Sequence, residues 1–465
     1  MKYDYDLICI GLGPAGMAVS LMASAMGLNV LSVERDRVGG ECMNSGCIPS
    51  KGILRVAEKR ALVRKILGEN ATADLPAPFR KIREHLNFIG EKKTKVLFEK
   101  TPIVFGEAHF VDSHTIEVDG RRVSARRIFI AAGTRPAIPD FEGADEVEFL
   151  TNETLFLLDE VPESLIVLGG GAIACEMAQA FARLGCRVTM IQRSGHLLSR
   201  MDEDAAGLLE EKFRAEGLRV LTGTRPKSVR RIEDEIELTT DTGESIRAER
   251  ILAAAGRRFD YSALRLENAG VCVGKNGNIR VNKFLRTSCP HIFAVGDCNG
   301  ERLFSHAAMH QGMIALMNAM LPRFSRRNFR KYVVPATMFT TPQISAVGAS
   351  ERELRDSGTR FETIICRYED YGAAIAEETA EGFVKAFIGS RGKILGACIV
   401  GEGSGEMINE WALAVQKKLK ITDLLFLQHA FPTMGFLTKR IAENWMMKRA
   451  GAPFFKKLCR FFFRL

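Results

Sequence analysis

Residues 5–34 read YDLICIGLGPAGMAVSLMASAMGLNVLSVE, and this stretch decides the fold of the N-terminal part of the chain. A Gly-x-Gly-x-x-Gly turn between a buried strand and a helix is typical of a βαβ unit that binds a dinucleotide. The pattern predicts, in order, a strand at Tyr5–Ile10, a turn at Gly11–Gly16, a helix at Met17–Met26 and a strand at Asn29–Val33.

The turn supplies the predicted ligand contacts of this unit. Gly11 permits the tight turn, Gly13 lets the backbone approach a pyrophosphate at the helix N-terminus, and Gly16 lets helix and strand pack closely. Glu34, 23 residues after the first glycine, is placed to accept hydrogen bonds from a ribose. We therefore predict a dinucleotide site that contains Gly11, Gly13, Pro14, Ala15, Gly16 and Glu34.

The same pattern recurs once. Strand, glycine turn, helix and strand are predicted again at Leu165–Leu168, Gly169–Ala174, Cys175–Leu184 and Arg187–Ile191. Gln192 stands 23 residues after Gly169, in the position of Glu34. Two copies of one unit predict two dinucleotide sites, the second containing Gly169 and Gly171.

The second copy indicates which nicotinamide nucleotide it binds. Gln192 offers no carboxylate to a free 2′-hydroxyl, and two arginines, Arg193 and Arg200, lie nearby in sequence. Such arginines accommodate the 2′-phosphate of NADP. The pattern favours NADPH, with NADH as the alternative if both arginines are only solvated surface residues.

A further repeat defines the domain organisation. RIFIAAGTRP at 127–136 and RILAAAGRRF at 250–259 each predict a strand that ends a nucleotide-binding subdomain, and a strand at Ile292–Val295 returns the chain to the first cofactor. From about Pro335 strands and helices alternate differently. We predict an α/β fold with two Rossmann-like domains and a C-terminal α+β interface domain, divided as 1–150, 151–262, 263–335, 336–450 and a tail at 451–465.

Composition excludes several other classes of protein. The chain has 465 residues, of which 46% are hydrophobic and 26% charged, which argues against disordered, collagen-like and coiled-coil proteins. The net charge of +9 is small for this length, and we predict no nucleic-acid partner. The 11 cysteines, mostly scattered, favour a reducing cytoplasmic setting over a secreted disulfide scaffold. No transmembrane helix is predicted.

The stretch GGECMNSGCIPSK at 39–51 is the most informative part of the sequence. Cys42 and Cys47 lie five residues apart, close enough to reach disulfide geometry, in a setting too rich in Gly, Asn, Ser and Pro for a core. Pro49 suits a first helical turn, and a helix N-terminus lowers a thiolate pKa. No Cys or His partners at metal-ligand spacing accompany them, so we predict a redox pair and no metal site.

Over nearly its whole length the chain resembles the class I pyridine nucleotide–disulfide oxidoreductases, which include dihydrolipoamide dehydrogenase, glutathione reductase and mercuric reductase. The motifs that carry the resemblance are GLGPAG at 11–16, GGECMNSGCIPSK at 39–51, AAGTRP at 131–136, GGGAIACE at 169–176 and AVGDC at 294–298.

The resemblance implies specific site residues. FAD is assigned to the first unit, through its glycines, Glu34 and Asp297. Lys51 matches the family lysine beside the flavin, and Glu176 matches its ion-pair partner. The matching motifs further imply cofactor contacts from Gly40, Ala132, Gly133, Gly256, Gly296 and Ala307.

The resemblance also implies a relay. NADPH passes hydride to FAD, FAD reduces the Cys42–Cys47 disulfide, and the outer thiol attacks an oxidised substrate. By analogy Cys42 is the interchange thiol and Cys47 the thiol that faces the flavin, an order that spacing alone does not decide. The family completes its site across a dimer interface, so we expect a homodimer.

One family feature is missing. Thiol reductases of this type carry a His-Pro-Thr motif whose His, paired with a Glu, is the acid/base of the interchange thiol. Phe431 and Phe436 stand in those two positions, and a general acid/base typically contributes about 10²–10⁴-fold. Efficient dithiol turnover by the usual route is therefore in doubt, and His429 is interpreted as a structural histidine, with a displaced base as the alternative.

Two alternative functions stay open. Mercuric reductases also lack the His-Glu pair, so a metal-ion reductase is one, although this chain has no paired cysteines near its C-terminus. A membrane-docked electron carrier or quinone reductase is the other. Our primary prediction is an FAD-dependent NAD(P)H:disulfide oxidoreductase that acts on an unidentified small-molecule or protein disulfide.

The C-terminal tail departs from the family pattern. Residues 446–465, MMKRAGAPFFKKLCRFFFRL, contain six basic residues, five phenylalanines and no acid. A short basic, aromatic-rich segment suits the surface of an anionic membrane. The alternatives are an arm that packs on the partner subunit and a frayed terminus. The predicted location is thus the cytoplasm, with peripheral contact at the inner face of a membrane as a hypothesis.

Overall fold

The computed structural model describes residues 2–68 and 77–464, which form two compact units. The first unit comprises Met1–Gly169, Ala180–Met190 and Arg225–Lys331. The second comprises Gly170–Gln179, Ile191–Thr224 and Tyr332–Leu465. The predicted domain boundaries near 150, 262 and 335 divide the chain differently and stay a prediction.

The elements confirm the mixed α/β prediction. The strands are β1 Tyr5–Ile10, β2 Val30–Glu34, β3 Ile103–Phe105, β4 Ala108–Phe110, β5 Thr115–Val118, β6 Arg121–Ile130, β7 Arg135–Pro136, β8 Ser164–Leu168, β9 Arg187–Gln192, β10 Arg219–Thr222, β11 Pro226–Ile232, β12 Glu235–Thr240, β13 Ser245–Ala248, β14 Arg250–Ala253, β15 Arg257–Arg258, β16 Ile292–Ala294, β17 Ala336–Met338, β18 Ile344–Gly348, β19 Phe361–Arg367, β20 Phe383–Gly389 and β21 Ile394–Val400.

The α-helices connect these strands. They are α1 Pro14–Ala25, α2 Gly40–Asn44, α3 Cys47–Leu67, α4 Pro78–Ile89, α5 Lys95–Leu97, α6 Ala172–Arg183, α7 Glu203–Ala215, α8 Ser305–Met320, α9 Glu351–Asp356, α10 Gly372–Ala376, α11 Ser404–Lys417, α12 Ile421–Phe426, α13 Phe436–Ala450 and α14 Pro453–Phe463. Within the described residues, none of the helices combines the length and the apolarity that crossing a bilayer requires.

Both copies of the predicted βαβ pattern form. The first strand matches its predicted bounds, whereas helix α1 begins at Pro14, three residues earlier than predicted. The reason is that proline suits the first position of a helix, where its missing N–H costs no hydrogen bond. In the second copy α6 likewise begins at Ala172, within the predicted turn.

The main sheet of the first unit positions the predicted FAD residues. Its strand order is β3-β2-β1-β6-β5-β4, and β16 pairs with β6. Strands β1, β2, β6 and β16 run parallel, so their carboxyl ends meet at one edge. The connections reverse direction on either side of β1, which is where α/β sheets bind ligands. The predicted turn, Glu34, Ala132 and Asp297 all follow these strands at that edge.

Two helices pack closely above this sheet. A Cβ at Gly16 would lie 1.8 Å from the carbonyl oxygen of Gly11, and one at Gly312 would lie 2.4 Å from that of Ala15. Glycine is thus required for the contacts of α1 with the turn and with α8. The other face of the sheet is covered by an apolar core around Ile8, Ile128 and Ile292.

The C-terminal part of the second unit is an antiparallel sheet of order β17-β18-β21-β20-β19. Strands and helices alternate in this region, as predicted: β20 and β21 are adjacent, and α11 and α13 cover the sheet. Its core is centred on Trp411 and Tyr368, both fully buried.

A buried ion cluster crosses this second unit. Lys385, on β20, is 2% exposed, and its Nζ lies 3.0 Å from Asp202, 2.7 Å from Asp204 and 3.3 Å from Glu351. Burial by itself lowers the pKa of Lys385, but its hydrogen bonds to Asp204 and its attraction to Asp202 outweigh burial and raise it. Burial raises the pKa of Asp202.

We predict that Lys385→Met destabilises the protein by roughly 3–5 kcal/mol near pH 7.5, because buried carboxylates lose their cation. The loss should shrink as the pH falls toward 4, because the raised pKa of Asp202 lets this carboxylate take up a proton. Urea unfolding at both pH values measures it. Lys212→Met is the matched control, since Lys212 and Glu381 form a pair that is 29% and 44% exposed, and it should cost less than about 1 kcal/mol. Equal losses in both variants would contradict the prediction.

Candidate active site

The first glycine turn has the geometry of a pyrophosphate site. Gly11 has φ +94°, and a Cβ there would lie 2.5 Å from the carbonyl oxygen of Ala131. At Gly13, by contrast, an added Cβ would meet only the Cα of Gly40, at 4.0 Å, so the space before the turn is open. Gly13 is the N-cap of α1 and supplies no side chain, so no side-chain hydrogen bond caps the helix. A helix N-terminus of this kind favours phosphate.

Glu34 lies beside this turn, as predicted. Its carboxylate accepts hydrogen bonds from the backbone N–H groups of Leu12, at 2.6 Å, and Asp36, at 2.9 Å. These two bonds hold the carboxylate at the carboxyl edge of the sheet. Each oxygen has a further lone pair with which it can accept a ribose hydroxyl.

The other predicted FAD contacts follow the neighbouring strands. Ala132 is exposed at the end of β6, and a Cβ at Gly133 would meet nothing within 4 Å. Gly296 and Asp297 form a 3₁₀ turn after β16, and Ala307 lies in the first turn of α8. The residues of the first unit thus fit FAD, with an open glycine turn, a ribose acceptor and further polar groups along one edge.

At this edge, the ionised form of the buried Asp297 carboxylate is electrostatically unfavourable. Burial raises its pKa to about 6, against the opposing attraction of Arg257, and the charges of Glu41 and Cys47 raise it further. At neutral pH the folded chain therefore holds a carboxylate that burial disfavours. A ligand hydroxyl that donates to it would relieve the strain.

The two cysteines predicted to form the redox pair lie in neighbouring helices. Cys42 is in the short helix α2, and Cys47 is the first residue of the 21-residue helix α3. Both are half-buried thiols in this structure, and a hydrogen bond between them, followed by burial, raises the pKa of Cys42 well above its usual range. The predicted lowering by a helix N-terminus therefore does not apply to Cys42, because α3 begins at Cys47.

Sequence reasoning missed a partner of Cys47. Ser305 Oγ lies 3.1 Å from Cys47 Sγ. Ser305 is the first residue of the 16-residue helix α8, so the N-termini of α3 and α8 both meet at this sulfur. Two helix N-termini favour a thiolate. The sequence offered one signal for this contact, namely a helix that starts shortly after Gly296-Asp297.

A second missed feature is an ion pair that holds the redox motif. Arg257 is 15% exposed and forms a two-pronged salt bridge with Glu41, the residue before Cys42. It also donates to the hydroxyl of Thr134, at 2.9 Å, and Asn152 donates to Glu41 at 2.6 Å. The network fixes α2 against the turn after β6. Both charged residues stand in motifs that the sequence had singled out.

The remaining predicted residues of the relay are Lys51 and Glu176. Lys51 is half-buried, one turn along α3 from Cys47, and its Nζ donates to Ser50 Oγ at 3.4 Å. Glu176 is 4% exposed on α6, and its Oε1 accepts the N–H of Phe339 at 3.0 Å. The predicted Lys51–Glu176 ion pair stays a prediction.

The second turn repeats the features of the first. Gly169 has φ +120°, Gly171 faces open space, and a Cβ at Gly170 would lie 2.9 Å from the Gln192 side chain. Gln192 is buried, whereas Arg193 and Arg200 are exposed. Gly256, also predicted to contact the nucleotide, is exposed after β14.

The segment that lacks the family acid/base is aromatic. Phe431 is 70% exposed and meets Phe436 edge to face at 5.3 Å, and Phe436 stacks on Tyr371. His429 Nε2 lies 3.0 Å from Glu410, and the His429 side chain is 8% exposed. This buried pairing favours the structural interpretation of His429.

Comparisons with known proteins identify the relatives of this chain. The family description "Pyridine nucleotide-disulphide oxidoreductase" matches residues 5–312, and its dimerisation domain matches residues 334–440. The chain is 35% identical to a mercuric reductase of Streptomyces lividans, over 95% of this chain and 96% of that protein. It is 30% identical to a dihydrolipoyl dehydrogenase of Geobacillus stearothermophilus, again over 95% and 96%.

A solved structure extends the likeness to the fold. The HOCl-induced flavoprotein disulfide reductase RclA from Escherichia coli superposes with a TM-score of 0.86 at 26% identity, over 94% of this chain and 99% of that one.

We predict that Asp297→Asn stabilises the flavin-free protein by about 1–3 kcal/mol at pH 7.5. The aspartate pKa is raised on folding, from 3.8 to about 6, so folding stability is lost as pH rises through this interval. The gain should therefore vanish below about pH 4, which urea unfolding at several pH values measures. In Asp260 a hydrogen bond from Ser262 lowers the pKa, so the control Asp260→Asn should give no gain. A gain that is constant with pH would refute the electrostatic cause.

Proposed function

The chain belongs to the pyridine nucleotide–disulphide oxidoreductase family, and we propose that within it Cys42 and Cys47 transfer electrons to an oxidised sulfur acceptor. The protein is an FAD-containing, NAD(P)H-dependent oxidoreductase. Held at the first glycine turn and Glu34, FAD would supply the two-electron transfer between NAD(P)H and the cysteine pair. The chain's own residues bind these cofactors, hold the sulfurs and manage the protons.

The different environments of the two sulfurs carry the proposal. Cys47 lies at two helix N-termini beside Ser305 Oγ, an arrangement that favours its thiolate. Cys42 holds its proton, since its pKa is raised. This asymmetry supports Cys47 as the thiol that faces the flavin and Cys42 as the interchange thiol.

The proposed thiol chemistry consists of two successive exchange steps. Cys42, once deprotonated, attacks one sulfur of the acceptor disulfide, forms a mixed disulfide and releases the first product thiol. Cys47 attacks Cys42, re-forms the Cys42–Cys47 disulfide and releases the second. The sum is NAD(P)H, a proton and one acceptor disulfide converted to NAD(P)⁺ and two thiols.

The proposed contacts of the cofactors follow the predicted residues. For FAD they are the first glycine turn, Glu34, Gly40, Ala132, Gly133, Gly296, Asp297 and Ala307, with Lys51 paired to Glu176 beside the ring. NADPH is the proposed reductant, because the buried Gln192 offers no carboxylate while Arg193 and Arg200 are exposed and have no carboxylate within ion-pair distance among the described residues.

The acceptor is proposed to be one that needs little help from a general acid. Phe431 and Phe436 place an aromatic surface where the family carries its acid/base, and His429 is engaged by Glu410. A strained disulfide or one with a good leaving thiol suits such a site.

The same observation favours a second candidate substrate, a soft metal ion that is reduced while the two thiols bind it. Comparing turnover with disulfides and turnover with soft metal ions separates the two candidates.

Assembly and location complete the proposal. The dimerisation domain at residues 334–440 supports a homodimer. We propose that the enzyme works in the cytoplasm and makes peripheral contact with the inner face of a membrane through residues 446–465.

We predict that Cys42→Ser retains FAD and still oxidises NADPH with an artificial acceptor, while disulfide reduction falls to background. The serine hydroxyl cannot attack the acceptor or form the internal disulfide. Flavin absorbance and parallel turnover assays measure this. Cys272→Ser, which changes an exposed cysteine, is the control and should behave as wild type. Disulfide turnover that survives in Cys42→Ser would rule out the relay.

We also predict that the double variant Phe431→His/Phe436→Glu reduces dithiol-type disulfides at least tenfold faster than wild type, because a general acid/base contributes about 10²–10⁴-fold. Its rate should show a new ionisation near pH 6–7. His429→Gln in the wild-type background is the control and should leave this rate within about twofold. A large loss in the control would instead assign His429 as the base.

A further inference from the structure

Helix α14, at the end of the described chain, lies exposed. All its described side chains are exposed, and those of Phe454, Phe461, Phe462 and Phe463 are 78%, 61%, 62% and 96% exposed. Three of them, Phe454, Phe461 and Phe462, lie within about 100° of one another around this 11-residue helix, and such a group of exposed rings is rare on a soluble monomer.

The helix separates its residue types by face. At about 100° per residue, Phe454, Leu458, Phe461 and Phe462 fall within one side of the helix. The four cations Lys456, Lys457, Arg460 and Arg464 fall together on the other. The sequence had indicated this composition. The helical spacing places the aromatic and the basic residues named here on two different surfaces.

The basic side is not neutralised within the protein. Among the described residues no carboxylate lies within ion-pair distance of the four α14 cations. Two other cations of the predicted tail behave differently, since Lys448 and Arg449, in α13, both pair with Glu362 at 3.4 and 2.5 Å. Within the described part of the tail, 446–464, the unpaired cations are therefore those of α14 and Arg464, the residue that follows it.

We propose that α14 is an in-plane anchor for an anionic phospholipid bilayer. Its aromatic side lies among the upper acyl chains, and its basic side lies at the headgroup phosphates. Eleven residues of helix extend about 16 Å, too short for a hydrocarbon core of about 30 Å, so the helix lies along the surface. The inference deepens the location proposed above and does not depend on the thiol relay.

Charge complementarity selects this occupant over a second copy of the chain. The chain carries a net charge of +9, so a second copy repels the basic side of α14 overall, whereas an anionic bilayer satisfies both sides of α14 at once. A homodimer carries two such helices, and simultaneous binding of both strengthens attachment without new contacts.

The test is co-sedimentation of the full-length FAD-loaded enzyme with vesicles. We expect binding to phosphatidylcholine vesicles that contain about 30 mol% phosphatidylglycerol, weak binding to pure phosphatidylcholine, and release by about 1 M salt. Equal binding to both kinds of vesicle, or no binding to either, would overturn the proposal.

Variants assign the binding to the two sides of α14. Lys456→Gln/Lys457→Gln/Arg460→Gln should weaken binding about a hundredfold, and Phe461→Ala/Phe462→Ala at least tenfold. The matched controls change equally exposed residues elsewhere and should bind as wild type: Lys92→Gln/Lys93→Gln/Lys100→Gln for charge and Phe324→Ala for aromatic surface. Equal effects in variants and controls would count against α14.

A reporter and a turnover assay remove the remaining ambiguities. Phe462→Trp should show a blue-shifted emission with anionic vesicles if the aromatic side enters the bilayer, and an unchanged emission would overturn insertion. If deletion of 452–465 splits the dimer in light scattering, a second copy is the occupant and the proposal is wrong. Turnover with soluble acceptors should be unchanged in all these variants, so a failed relay and a failed anchor give different results.

Discussion

The close approach of helix α1 to its own glycine turn and to helix α8 is the contact on which the site depends. The carbonyl oxygen of Gly11 and that of Ala15 occupy the places that Cβ atoms would take at Gly16 and Gly312. Glycine at these positions lets both helices start at the carboxyl edge of the main sheet. One N-terminus then faces an open glycine turn, and the other contacts Cys47 through Ser305. A larger residue at either glycine would move a helix N-terminus, and with it the positive potential that favours phosphate or thiolate.

Charge at this edge is arranged in opposing pairs. Arg257 neutralises Glu41 and lies near enough to Asp297 to lower its pKa, yet burial still raises that pKa to about 6. The flavin-free site is thus electrostatically unfavourable, as sites that bind a donor group commonly are. The same principle acts in the second unit, where the buried Lys385 is compensated by three carboxylates. In that cluster the charged side chains pair with one another within the chain, so their role is structural.

The aromatic segment around Phe431 departs from the His-Glu pair that the resemblance to thiol reductases implies. Two phenylalanines replace a pair of residues that work together, and they contact each other. The two replacements therefore fit together, because they form one apolar cluster at the place where the family pattern puts a proton-transfer pair. The proposed chemistry accommodates it, since the protons of the thiol relay are held at Cys42 and since helix N-termini favour the thiolate of Cys47. The Phe431 side chain is 70% exposed, so it adds to the exposed apolar surface that α14 gives the C-terminal part of the chain.

The sequence by itself determined the two βαβ units, and it predicted the redox cysteines and the missing acid/base, because each depends on residues a short distance apart in the chain. Glycine spacing dictates a turn, apolar runs dictate strands, and motif order locates Phe431 and Phe436. Tertiary structure alone decided that Ser305 meets Cys47, 258 residues away, and that Arg257 holds Glu41, 216 residues away. It also decided that Cys42 keeps its proton and that α14 leaves its aromatic side in solvent. Such contacts depend on how whole elements pack, and packing brings together residues whose separation in sequence carries no local signal.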